Sequence, residues 1–226
     1  MHIILDTSII FDNYFFDTPK FLGLFDYLKK THSKLYLPSF VIDEILKKYK
    51  ENLSKYKDSL ERDERILFGQ TKEINIDDLV LEYASKLTNL IKKNNIGIIK
   101  PKDISSKKLF GRAIKIEPPF DASGRGLRDT LIWLSIVDFV KNDSTGYFCF
   151  ISANIKDFGK EDLYSNLRKD LESKSNKFLY CTSLEEFLSN YGDKVAFIDR
   201  IFLENYFSDK YDYLLSLVNR DNGTVY

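Results

Sequence analysis

The sequence predicts a three-layer α/β/α fold around a central parallel sheet of about five strands, and three observations carry that expectation. Short apolar runs rich in β-branched and aromatic residues recur at 3–5, 34–37, 96–99, 147–151 and 178–181. Segments with helical spacing separate them, as in successive β-α units. Several runs stop at a polar cluster, and parallel sheets carry their ligand sites at the carboxyl ends of strands.

The first run, Ile3-Ile4-Leu5, ends abruptly at Asp6-Thr7-Ser8. An acid followed by two hydroxyls there is either a solvated helix cap or one corner of a site, and the choice depends on other carboxylates. Within Phe11 to Lys30, apolar residues at Phe21, Leu24, Phe25 and Leu28 predict a helix, and Lys29-Lys30 suit its negative C-terminal end. Lys34 to Leu37 reads as a second strand stopped by Pro38. Ser39 then serves as N-cap for a helix with Val41, Ile45, Leu46 and Tyr49 on one side. Glu44 lies about one turn past that cap, so its carboxylate can point back over the strand ends, whereas Asp43 projects about 100° away.

Residues 47–95 read as a helical excursion, broken near 69–75 and resumed through Leu79, Tyr83, Leu87, Leu90 and Ile91. Its first part is highly charged with a thin apolar stripe, which predicts projection into solvent or a flap. Ile96 to Ile99 gives a third strand, closed by Lys100-Pro101. Lys plus Arg and Asp plus Glu both number 34, so net charge does not argue for nucleic acid. The distribution does: Lys100 to Arg128 holds eight bases against three acids, while Glu51 to Glu82 holds nine acids against five bases.

The loop Phe120 to Arg128 opens a strongly apolar helix from Asp129 to Val140 that reads as buried. An acid at its start also stabilises the helix dipole, by roughly 0.3–1 kcal/mol. Tyr147 to Ile151 is a fourth strand ending in Ser152-Ala153-Asn154-Ile155-Lys156-Asp157. Phe178 to Cys181 is a fifth, after which Ser183 caps a helix with Leu184, Phe187 and Leu188. Cys149 and Cys181 read as buried thiols; with only two histidines and no Cys-x-x-Cys pair, the composition argues against zinc. Asp193 to Leu217 predicts an amphipathic helical tail. The expected organisation is one domain over 1–191, with an insertion at about 47–95, and a helical extension over 192–226.

Hydrophobic residues at 43% and charged residues at 30% fit a globular chain, and no stretch reaches the ~18 apolar residues of a membrane span. No basic segment followed by an apolar run opens the chain, so the cytoplasm is the expected compartment.

Acids thus fall at four element junctions: Asp6, Glu44, Asp129 and Asp157. Converging carboxylates repel one another unless a cation sits between them. Oxygen-only ligands favour Mg²⁺ or Mn²⁺, and the chemistry such a site serves is phosphodiester hydrolysis. Lys100, Lys107, Lys108, Arg125 and Arg128 are the expected phosphate contacts near that rim. An aspartyl-phosphate phosphatase would want two close acids after the first strand, and Asp6-Thr7-Ser8-Ile9 offers one.

Four motifs in this order resemble the PIN domain family of nucleases: Leu5-Asp6-Thr7-Ser8, Pro38 to Glu44, Gly126 to Trp133 with Arg128-Asp129, and Ser152 to Phe158. The resemblance spans roughly residues 1 to 190. It implies a sheet with the first strand central and a metal-dependent endoribonuclease acting on RNA. It also implies Asp6, Glu44 and Asp129 as metal ligands, Asp157 as the fourth acid, and Thr7, Ser8, Ser152 and Asn154 orienting ligands or water. Many members carry an acid where this chain has Asn154, which leaves open whether Asn154 or Asp157 completes a second metal site. Compact members include bacterial toxins held by antitoxins. The excursion and the tail depart from these and fit a substrate clamp, a homo-oligomer contact or a surface for an antitoxin or other regulatory protein. A toxin or a larger defence-type nuclease both fit this reading; a catalytically inactive nucleic-acid or protein binding module of the same fold and a DNA-directed 5′ nuclease are the competing readings.

Overall fold

A computed structural model describes residues 1–11, 13–68, 75–101, 104–143 and 146–192. One sheet is formed by β1 (His2–Leu5), β2 (Lys34–Pro38), β3 (Gly97–Ile99), β4 (Phe148–Ile151) and β5 (Phe178–Cys181). Every pairing is parallel, in the order β3-β2-β1-β4-β5. Central parallel strands are covered on both faces and so read as unbroken apolar runs; Phe148-Cys149-Phe150-Ile151 is buried at every position.

The helices are α1 (Thr7–Ile10), α2 (Pro19–Thr31), α3 (Ser39–Phe68), α4 (Ile76–Lys93), α5 (Ser106–Lys115), α6 (Leu127–Asn142), α7 (Ile155–Phe158), α8 (Ser165–Asp170) and α9 (Leu184–Tyr191), with a 3-10 helix at Glu172–Lys177. From β1 the chain moves one way to β2 and β3, then crosses back to β4 and β5. Right-handed crossovers therefore put α2 to α4 on one face and α5 to α8 on the other. Ring contacts agree. Tyr49 of α3 stacks on Tyr83 of α4 at 4.0 Å, and Tyr27 of α2 meets Phe187 of α9 at 5.1 Å. On the opposite face Trp133 of α6 packs among Phe150, Phe158 and Phe178 at 6.2, 6.4 and 5.9 Å.

Because strand order reverses between β1 and β4, the carboxyl ends of these two strands flank a topological switch point, where open α/β sheets form their crevice. The chain follows each of them with a very short helix, α1 or α7.

Several expectations change in detail. The helix expected within 11–30 begins only at Pro19, and Thr7–Ile10 already forms α1, with Asp6 as its N-cap. β2 runs through Pro38, which pairs with Ile99, and Ser39 is the first residue of α3 rather than its cap. Asp129 is the third residue of α6, after an N-cap at Gly126. That glycine has φ +104°, and an added Cβ would lie 2.0 Å from the Pro119 carbonyl oxygen, so the close approach and the left-handed turn both demand it. The basic segment, for which the sequence predicts no element, contains α5. α3 is continuous for 30 residues, about 45 Å at 1.5 Å per residue. The expected break at 69–75, apart from Asn75, and the tail from 193 lie outside the described residues. Contacts divide the chain into units Met1–Leu188 and Ser189–Tyr226; of the second, only 189–192 are described. Among the described residues no helix is long and apolar enough to cross a membrane.

Candidate functional site

Asp6 leaves the end of β1 almost fully buried, 3% exposed. Its Oδ2 accepts from Ser8 Oγ at 2.7 Å, Ser152 Oγ at 2.8 Å and the Ser8 amide at 3.3 Å. Burial raises the carboxyl pKa, and the Ser8 and Ser152 hydroxyls work against that rise. Helix cap and site corner are thus one arrangement: the acid that starts α1 also ties β1 to the residue that ends β4. Ser8 Oγ in turn accepts from the Ala153 amide at 2.9 Å, and the Asn154 amide donates to Ser152 Oγ at 3.1 Å.

Glu44 sits in the second turn of α3. Thr7 Oγ1 donates to its Oε2 at 2.9 Å, and Arg128 Nη1 pairs with its Oε1. Asp43 is exposed, as its angular offset requires. From α6 and α7, Asp129 and Asp157 are joined through one amide: Asn154 Nδ2 donates to Asp129 Oδ1 at 3.2 Å and to Asp157 Oδ2 at 2.7 Å. A carboxylate at that position has no N–H to give, so the amide is what permits this bridge.

The other three acids all act on Asp129. Asp129 is held up at about 6 by burial first, then by the charges of Asp6, Asp157 and Glu44. Opposing charge at the rim is thin. Arg128 neutralises Glu44, while Lys156 lies 3.4 Å from Asp121 rather than from any of the four.

The five expected phosphate contacts separate. Arg128 is at the site. Arg125 occupies the loop before α6, where Asp121 Oδ1 accepts from the Ser123 and Arg125 amides and the Ser123 hydroxyl. This is an Asx turn, whose signal in the sequence is Asp followed by Ser two residues on. Lys100 follows β3, two strands from β1, and Lys107 is exposed on α5. Lys108 does not meet the rim: it lies 3.6 Å from Asp170 and lines a cleft with Leu134, Asp138 and Lys141 in the later half of α6. Asp138 is more than two helical turns from Asp129, about 13 Å along the axis.

A family model described as the PIN domain matches residues 3–158. The chain belongs to the PIN domain family. That match runs from β1 through α7 and contains all four carboxylates, so α8, β5 and α9 lie beyond it. No curated protein and no solved structure matches the chain. PIN domains are generally nucleases and typically use divalent metals. The donor set of this PIN domain fits such an ion in chemistry and in charge: the charges of Asp6, Asp157 and Glu44 all act on Asp129, which is short of countercharge. In aim it fits less well. Among the described residues no group of three or more Asp, Glu, His or Cys side chains is arranged to hold a metal; Glu44 pairs with Arg128, and Asp157 accepts from Asn154.

Proposed function

We propose that this PIN domain is an Mg²⁺- or Mn²⁺-dependent endoribonuclease. What supports the reading best is Asp129, which Asn154 joins to Asp157 and whose carboxyl is raised first by burial and then by the charges of Asp6, Asp157 and Glu44. Such a cluster is unfavourable in a bare protein and becomes favourable once a cation is shared. Asp6 and Asp129 would hold the metal with Glu44 and Asp157. When bound, the metal supplies a water of lowered pKa and neutralises charge on the departing oxygen. Asp6 is kept in one orientation by Ser8 and Ser152. Asn154 keeps Asp129 and Asp157 facing the same point. Arg128, released as Glu44 turns inward, is the guanidinium best placed to meet a phosphate oxygen.

Purified protein should cut single-stranded RNA with Mn²⁺, and Asp6→Asn or Asp129→Asn should reduce the rate on the order of 10³-fold, as loss of a transition-state stabiliser does. Inert wild-type protein with either metal on RNA and DNA, or Asn variants that cut at the wild-type rate, would remove the assignment. Arg128 gives a separate check. Its ion pair with Glu44 is half-exposed and worth about 1 kcal/mol at most, so Arg128→Ala should tighten Mn²⁺ binding by up to about fivefold in calorimetry without RNA. The same variant should cleave more slowly at saturating metal. Unchanged Mn²⁺ affinity would mean that Arg128 does not compete for Glu44.

The second reading, a binding module of the same fold, is favoured by Asn154, whose amide stands where many relatives have an acid. It predicts RNA binding with neither heat nor thermal shift on adding Mn²⁺.

A further inference from the structure

Beside the four acids lies a second feature. A pocket of about 190 Å³ opens against Ser8 and Ala153 and is further lined by Phe11, Asn13, Thr18 and Ser183. It shares a wall with the acidic site, because Ser8 Oγ donates to Asp6 and accepts from Ala153. We propose that this pocket holds one nucleobase of a single-stranded RNA, the base adjacent to the bond presented at Asp6, and that it sets the base preference of cleavage. The proposal deepens the ribonuclease reading and rests on it.

Five features carry the argument. The volume is below the ~300–1,000 Å³ of whole-ligand sites, which suits one ring system. Aromatic side chains form part of the lining: Phe21 is fully buried there, and Phe11 is 37% exposed. Phe11 already carries a cation on its ring, Lys48 Nζ at 5.9 Å from the centroid, four residues beyond Glu44 on α3. Exposed aromatics beside cations are how single-stranded nucleic acid is gripped without base pairing.

The polar groups are those that read a base edge. Thr18 caps α2 without using its side chain, and its Oγ1 is buried with no hydrogen-bond partner among the described residues. A buried hydroxyl left unpaired costs about 1–3 kcal/mol, which a ligand offering an N–H or carbonyl would relieve. Asn13 adds an amide, whose Nδ2 also donates to the Phe11 carbonyl at 3.4 Å, whereas the Ser183 hydroxyl is already taken up in capping α9, accepting from the Glu186 amide at 3.0 Å. The charges at the mouth cancel, since Lys20 pairs with Glu185. A phosphate would meet Glu185 there, with Lys20 already paired to it, whereas a neutral, flat, polar-edged ring meets no opposing charge.

The test uses wild-type protein with Phe11→Ala and Thr18→Val. The valine substitution is nearly isosteric and removes a hydroxyl that bonds nothing among the described residues, so fold loss is not expected. A randomised single-stranded RNA is cut with Mn²⁺ and the ends are sequenced. Wild type should prefer one base at one position beside the cut, and each variant should weaken that preference about tenfold, in the range of one base–aromatic stack. Cleavage with no preference, or a preference that both variants keep, overturns the proposal and leaves the nuclease reading standing. Fluorescence anisotropy with oligo(A), oligo(C) and oligo(U) in EDTA separates the two ideas further. Discrimination among them that Phe11→Ala abolishes supports the pocket even if no RNA is cut. Equal binding of all three by wild type overturns it.

Discussion

Asp129→Asn is expected to raise the thermal stability of the metal-free protein at pH 7.5 while removing its activity. The Asp129 carboxyl stands at about 6 against an ordinary 3.8, first through burial and then through Asp6, Asp157 and Glu44. A carboxyl with its folded pKa above its unfolded one takes up a proton on folding. Its contribution to stability is fully present below pH 3.8 and is lost as pH rises through 6. At about 1.4 kcal/mol per pKa unit, the wild type carries a penalty of up to ~3 kcal/mol above pH 6 that an asparagine does not. For a chain of this size that is a difference of about 6–12 °C in melting temperature. Asparagine keeps an oxygen for the Asn154 bond, so little else changes. The two proteins should melt together at pH 3.5 and diverge between pH 4 and 7. Millimolar Mg²⁺ should then reverse the order at pH 7.5, because an ion bound only by the folded wild type stabilises it alone. Parallel melting curves across this pH range would mean that the four acids do not share one field.

Asp170→Ala should be the most destabilising single change, by about 3–5 kcal/mol in chemical denaturation, because it strands a buried charge. Arg112 is 5% exposed and pairs with Asp170 Oδ2, while Trp133 Nε1 donates to the same oxygen at 2.8 Å. Removing the carboxylate leaves a guanidinium and an indole N–H facing apolar surroundings. Arg112 Nη1 also donates to the Pro118 carbonyl at 2.9 Å, one residue before the carbonyl that presses on Gly126. The disturbance therefore runs along the backbone toward Asp129, and activity should fall with stability. Replacing both partners by apolar residues, Arg112→Met with Asp170→Leu, should recover most of the lost stability. A loss under 1 kcal/mol for Asp170→Ala alone would show that water reaches the cluster.

Burial decided what could be read in the sequence. β1, β4 and α6 are covered on nearly every side, so their apolar runs announce themselves, and the acid that ends β1 stands out against them. α5 was missed because its amphipathic pattern points outward: Phe110 and Ile114 are 63% and 81% exposed, and Lys107, Lys108 and Lys115 give it the look of a charged loop. α8 is short and polar and has no periodicity to detect. At the candidate site, strand ends locate carboxylates, but a count of positive charge has no direction. Nothing in Lys107-Lys108 says that the second lysine turns to Asp170, nor in Arg112 that it is a core residue. Arg128 and Glu44 meet across 84 residues, a pairing that no local pattern encodes.

The central position of β1 also fixes an order of events during synthesis. Its first neighbour, β2, follows within some tens of residues, but the Ser152 hydroxyl that holds Asp6 comes 146 residues later. Long-range closures of this kind are the slow steps of folding. A growing chain therefore carries Asp6 and Glu44 early, yet Asp129, Ser152 and Asp157 must all leave the ribosome before the four acids can meet. If those acids cut RNA, the template and the ribosome beside the nascent chain are spared until its second half has folded.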